Sequence, residues 1–134
     1  MIMKKYAIAS VIILLSQQCY SNEWIPFGEQ PKLLEAEQLE INLWKYLEKE
    51  SKAKFEPKET YRFQYKFINN SSIYINALCR PVRKNKSQPW FDGPTSEELK
   101  ENFFQVKHGG SCFFNVVYDV RKAKFSSLYV SLEE

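Results

Sequence analysis

The sequence has 134 residues, with 19 Lys plus Arg against 16 Asp plus Glu, three Cys and one His. That length fits one domain and excludes large multi-domain catalytic architectures. A single histidine excludes a multi-histidine metal site, and no glycine-rich phosphate loop occurs.

In chain order, Lys4 and Lys5 precede an apolar run, Tyr6 to Leu15, and a polar stretch, Ser16 to Ser21. This is the three-part plan of a secretory signal peptide, with a core too short to span a bilayer. Small side chains at Cys19 and Ser21 suit a cleavage site before Asn22. A lipidated Cys19 is the alternative, although Gln17 and Gln18 stand where bacterial lipoproteins carry a small residue. Removal of residues 1–21 leaves one domain, 22–134, with 17 basic and 16 acidic side chains. So neutral a chain gives no electrostatic case for nucleic acid. It keeps two cysteines, Cys79 and Cys112, and an even pair in an exported domain of this size predicts a disulfide. The expected location is periplasmic or secreted, without a membrane span once the signal is gone.

Asn22 to Gln30 is an aromatic-bearing lead-in, and Pro31 suits the first turn of a helix. From there to about Lys52, Leu33, Ala36, Leu39, Leu43 and Leu47 recur at helical spacing, widened by Trp44. The period then changes to two. Tyr61, Phe63, Tyr65 and Phe67 alternate with Arg62, Gln64 and Lys66, which predicts a strand with one apolar and one wet face. Asn69 to Ser72 is turn chemistry, and Ile73, Ile75, Ala77 and Cys79 share one face of the returning strand. After an irregular loop, Arg80 to Pro94, Thr95 and Glu98 have capping-box spacing for a short helix over Ser96 to Phe103. Cys112, Phe114, Val116, Tyr118 and Val120 alternate again, and Phe125 to Leu132 forms the last strand. Phe125 is out of phase with Leu128, Val130 and Leu132, which predicts a bulge near Ser126 and Ser127. Placing Cys79 opposite Cys112 sets Ala77 near Phe114, Ile75 near Val116 and Ile73 near Tyr118.

The expected fold is therefore α+β: one long N-terminal helix packed on a four-stranded antiparallel sheet of two hairpins, with a long loop and short helix between the hairpins. This element order resembles the cystatin-like fold group. The resemblance implies a helix-wrapping sheet, and for true cystatins inhibition of papain-type proteases through a Gly segment and two hairpin turns. Gly28 precedes the helix as a cystatin glycine does. The first turn, however, is Asn69-Asn70-Ser71-Ser72, and Pro89-Trp90 falls in the middle loop rather than in the last turn. The chain also has the general look of small exported bacterial proteins, periplasmic immunity proteins among them.

Catalytic signals are sparse. His108, Ser111 and Asp119 supply the residue types of a nucleophilic triad, but sequence neighbours on one strand rarely reach its geometry. No cofactor is implied, and oxidised cysteines leave no thiolate nucleophile or metal ligand. Charge is uneven instead. Residues 61–91 hold six bases and no acid, and Arg80, Arg83, Lys84 and Lys86 precede Trp90 and Phe91. Arg and Trp are favoured binding anchors, so these six residues form the expected partner-binding element. The expected function is a non-catalytic, exported protein-binding module of the inhibitor or immunity type, with another protein as partner. The alternative is a small-ligand carrier or enzyme using a cavity between helix and sheet.

Overall fold

The computed structural model describes residues 22–80, 93–105 and 109–131. The predicted signal peptide lies outside the described residues. Among them run β1 (Trp24–Pro26), α1 (Ala36–Glu50), β2 (Tyr61–Phe67), β3 (Ser72–Cys79), α2 (Ser96–Glu101), β4 (Phe113–Asp119) and β5 (Lys124–Val130).

The sheet corrects the expected fold class. It has five strands in the order β1-β2-β3-β4-β5, and β1 runs parallel to β2, so the sheet is mixed rather than four-stranded and antiparallel. A three-residue strand carries no readable period, which is why the lead-in does not announce it. Tertiary contacts make it. The Phe63 N–H donates to Glu23 O at 2.9 Å, and the Phe27 N–H donates to Tyr65 O at 2.9 Å. Trp24 stacks on Phe63 with ring centroids 4.4 Å apart, and Ile25 is buried on the opposite face. Pro26 lacks an N–H and is tolerated because β1 is an edge.

The helix is also shorter than the apolar stripe suggests. Glu35 adopts φ 55°, in the left-handed region, and so separates α1 from the turn before it. Leu33 lies outside the helix yet packs on the core, whereas Leu34 is 79% exposed. Leu39, Leu43, Trp44 and Leu47 bury the inner face of α1 against the sheet. Trp44 is the hub, set edge-on to Tyr61 at 5.2 Å, Phe114 at 6.1 Å and Phe63 at 6.4 Å. Such edge-to-face pairs add roughly 0.5–1.5 kcal/mol each beyond their burial. The space between α1 and the sheet is filled with these rings.

The second face of the sheet is not wet. Arg62 and Gln64, expected in solvent, are 5% and 0% exposed. Helix α2 and residues 102–105 lie over β1 to β3, and Leu99 is fully buried there. The capping box at Thr95 and Glu98 forms as expected, but the helix stops at Glu101 because Asn102 is extended. Lys66 lies over the rings of Phe103, Tyr74 and Phe27 at 4.9, 5.7 and 5.8 Å. Its ammonium rests on aromatic faces.

The antiparallel registers match the spacing argument: Ile73 faces Tyr118, Ile75 faces Val116 and Ala77 faces Phe114. Cys79 and Cys112 are bonded, with Cα atoms 4.9 Å apart. Beside the bridge, the buried Tyr61 hydroxyl donates to Ser111 O at 2.7 Å and accepts from the Glu56 N–H at 3.0 Å. Burial pushes this phenol well above the usual tyrosine range.

This packing has two measurable consequences. A bridge spanning 33 residues of sequence contributes about 3–4 kcal/mol by chain entropy. The Cys79→Ser, Cys112→Ser double variant should therefore melt on the order of 10–20 °C lower by circular dichroism, and an unchanged midpoint would disprove the assignment. The raised Tyr61 pKa means that the folded state favours the neutral phenol. Its stabilisation is complete below the unfolded pKa of about 10 and is lost as pH rises above it. Absorbance at 295 nm should show at least one tyrosine that ionises only with unfolding; full ionisation of a still-folded chain would contradict this.

Candidate functional site

The site begins as one row of side chains across the sheet. Gln64 is paired with Asn76, Asn76 with Asn115, and Asn115 with Tyr129. Equal parity puts all four on the face covered by α2. At the covered end the row is fully used. Gln64 Nε2 donates to Leu99 O at 2.6 Å and to Asn102 O at 2.7 Å, carbonyls left without partners where α2 ends. Gln64 Oε1 accepts from Asn76 Nδ2 at 3.1 Å and from the Phe104 N–H at 3.3 Å. Asn76 Nδ2 also donates to Phe104 O at 2.6 Å. These partners fix which end of each amide is nitrogen.

Beyond Phe104, among the described residues, a pocket of about 280 Å³ opens over β4 and β5. Its walls include Phe104, Phe113 and Tyr129, and its polar lining includes Asn76, Asn115 and Ser131. Among the described residues no charged side chain lines it. Asn76 is 5% exposed and both of its amide hydrogens are directed to Gln64 and Phe104. Its Oδ1 is left as an acceptor with no donor among the described residues. The Asn115 amide makes no side-chain hydrogen bond within the described residues, although Asn115 is half-buried. Ser131 Oγ is engaged, accepting from the Gly109 N–H at 3.1 Å.

The bulge in β5 supplies the last wall. Phe125 pairs with Tyr118 and packs against Tyr46 on the α1 face. With strict alternation Tyr129 would share that face. Ser127 instead adopts φ 56° and the register shifts between Asn115 and Val117, turning Tyr129 into the pocket and Leu128 and Val130 toward the core. Tyr129 is 47% exposed.

Of the residues singled out by sequence, Arg80, Ser111 and Asp119 are described, and none of them lines the pocket. Arg80 is exposed at the end of β3, and its N–H donates to Thr60 O at 2.7 Å. Arg83, Lys84, Lys86, Trp90, Phe91 and His108 lie outside the described residues. The other two triad residue types are engaged separately: the Ser111 hydroxyl donates to Lys54 O at 2.6 Å, and Asp119 Oδ1 accepts from the Lys122 N–H at 2.9 Å. Sequence reading missed Gln64, Asn76, Asn115 and Tyr129. The hairpin registers held the signal, since they stack three amides in one row where an exposed face would carry charges.

Among the described residues no group of three or more His, Cys, Asp or Glu is placed to hold a metal ion. None of their helices is long and apolar enough to cross a membrane. Comparison with protein-family models, curated proteins and solved structures returns no match. The cystatin-like resemblance thus rests on element order alone.

One variant isolates the amide row. Gln64→Met keeps the volume but strands two carbonyls, the Phe104 N–H and one Asn76 amide N–H, which should cost about 2–4 kcal/mol. Hydrogen exchange at the Phe104 amide should accelerate with it. Unchanged stability with unchanged exchange would show that Gln64 does not hold the cover down.

Proposed function

We propose that the mature chain is a non-catalytic binding module acting outside the cytoplasm, and that its pocket over β4 and β5 takes a neutral ligand rich in hydroxyl or amide groups, such as a saccharide. The observation that carries this reading is Asn76 Oδ1, an acceptor on a buried residue that lines the pocket, unmatched by any donor among the described residues. Asn76 is held by its bonds to Gln64 and Phe104, so this oxygen is a fixed acceptor at the pocket wall that a ligand donor or its replacement water can meet. Asn115 adds a donor and an acceptor one strand away, and Phe113 and Tyr129 offer flat apolar surface. Among the described residues the lining carries no charge to offset desolvation of a charged ligand, which favours a neutral one. The disulfide between Cys79 and Cys112 agrees with an oxidising compartment.

The expected helix–sheet cavity is not the place, because Trp44 and its neighbouring rings fill that layer. A protein partner is the second reading, and the outer edge of β5 favours it. Among the described residues this strand ends the sheet, and an added strand could pair with its far side.

The test is an amide-resolved NMR titration of residues 22–134 with N,N′-diacetylchitobiose and maltose as neutral probes, glucuronate as the charged one, and an extended peptide. At about 50 mM a site with a Kd of about 5 mM is filled. Shifts should cluster at Asn76, Phe113, Asn115 and Tyr129 with a neutral sugar and not with glucuronate. Asn115→Leu should weaken binding about tenfold at unchanged Tm. Absence of pocket shifts with both neutral sugars overturns the saccharide assignment. Shifts confined to 124–130 with the peptide would favour the edge reading instead.

A further inference from the structure

Among the described residues Glu40 is the only buried acid, at 5% exposure. There its carboxylate faces only neutral donors. Oε1 accepts from the Asn22 backbone N–H at 3.3 Å and from the Trp24 indole at 3.2 Å. Oε2 accepts from the Asn22 side-chain amide at 2.7 Å and from the Trp44 indole at 3.3 Å. A buried carboxylate is ordinarily paired with a cation, because desolvation of a lone charge is costly. Lys58 does not serve: its ammonium pairs with Glu48 at 3.5 Å and lies 5.9 Å from the Trp44 ring.

The missing cation has a source. Asn22 is the residue that the small side chains at Cys19 and Ser21 place directly after the cleaved bond. We propose that signal cleavage completes this site, the new α-ammonium of Asn22 becoming the counter-ion of Glu40. Water adds across the Ser21–Asn22 peptide bond; Ser21 departs with the carboxylate, and the Asn22 nitrogen, now an amine, takes a proton. The nitrogen stays in place because Asn22 is held by other groups. Its side-chain amide also donates to Lys58 O at 2.8 Å, and the next carbonyl, that of Glu23, is a rung of the sheet. A neutral amide donor to Glu40 is thereby exchanged for a charged one, roughly twice as strong a bond. The mature chain gains an ionic bond between its first residue and α1 where the precursor has only neutral hydrogen bonds. This inference rests on the cleavage reading and is independent of the pocket.

The experiment crosses two changes. Residues 22–134, beginning with the free Asn22 amine, are compared with residues 21–134, in which one added residue moves the ammonium about 3.8 Å along the chain. Both are made with Glu40 and with Glu40→Gln. The added residue should lower Tm by about 5 °C with Glu40 and by less than about 1 °C in the Glu40→Gln background. Equal losses in both backgrounds, or no loss with Glu40, overturn the pairing. Should Glu40→Gln fail to fold, acetylation kinetics decide: the Asn22 amine should react with acetic anhydride at least about tenfold more slowly than the Ser21 amine of the longer chain. Equal rates overturn the proposal, as does an exported protein whose mass places its N-terminus elsewhere than Asn22.

Discussion

The constraint on which the rest depends is the end of a very short helix. Helix α2 has six residues, so its terminal carbonyls have no continuing turn to bond them, yet Leu99 within it is fully buried. Gln64 resolves the conflict from the sheet below, donating to Leu99 O and Asn102 O while its own oxygen receives Asn76 and Phe104. The covering segment is thus held by polar bonds as much as by apolar area. That is a demanding arrangement, since each bond left unmade inside the interior costs more than a made one contributes. Beyond Phe104 the same row runs on to Asn115 and Tyr129, which line the pocket among the described residues.

The two faces of the sheet therefore divide the work. On the α1 face, rings around Trp44 and the Cys79–Cys112 bridge make a filled, stapled layer. On the α2 face, polar side chains are buried under a partial cover. Small domains have little stability to spare, at about 5–15 kcal/mol, so a polar half-core needs a rigid opposite half. The left-handed Ser127 links the two: one strained residue sends Leu128 and Val130 to the filled layer and Tyr129 to the pocket.

Much of the sheet was legible in the sequence, and the reasons are physical. Period-two alternation in 61–67 and 113–119, two turn signals and one cysteine pair specify strands, registers and the bulge without further information. Strand β1 was not legible, because Trp24 to Pro26 is too short for a period and pairs only when β2 is present. The start of α1 was hidden because Leu33 continues the apolar stripe although Glu35 breaks the backbone path. The burial of Gln64 escaped because its partners, Leu99 and Asn102, are 35 and 38 residues away. Glu40 reads as one more surface acid on a helix; only the folded chain brings Asn22 and two indoles to it. The basic-aromatic segment, apart from Arg80, lies outside the described residues, and the described lining of the pocket consists of residues of ordinary appearance.

The central claim is that the amide row is interrupted by a ligand site rather than merely by the edge of a cover. A crystal structure of residues 22–134 soaked in diacetylchitobiose tests this most directly. A sugar ring should lie against Phe113 or Tyr129, with a hydroxyl or amide donor within about 3.2 Å of Asn76 Oδ1. A pocket that holds only water while the sugar is absent or bound elsewhere, or an Asn76 oxygen satisfied by a protein donor, would contradict it.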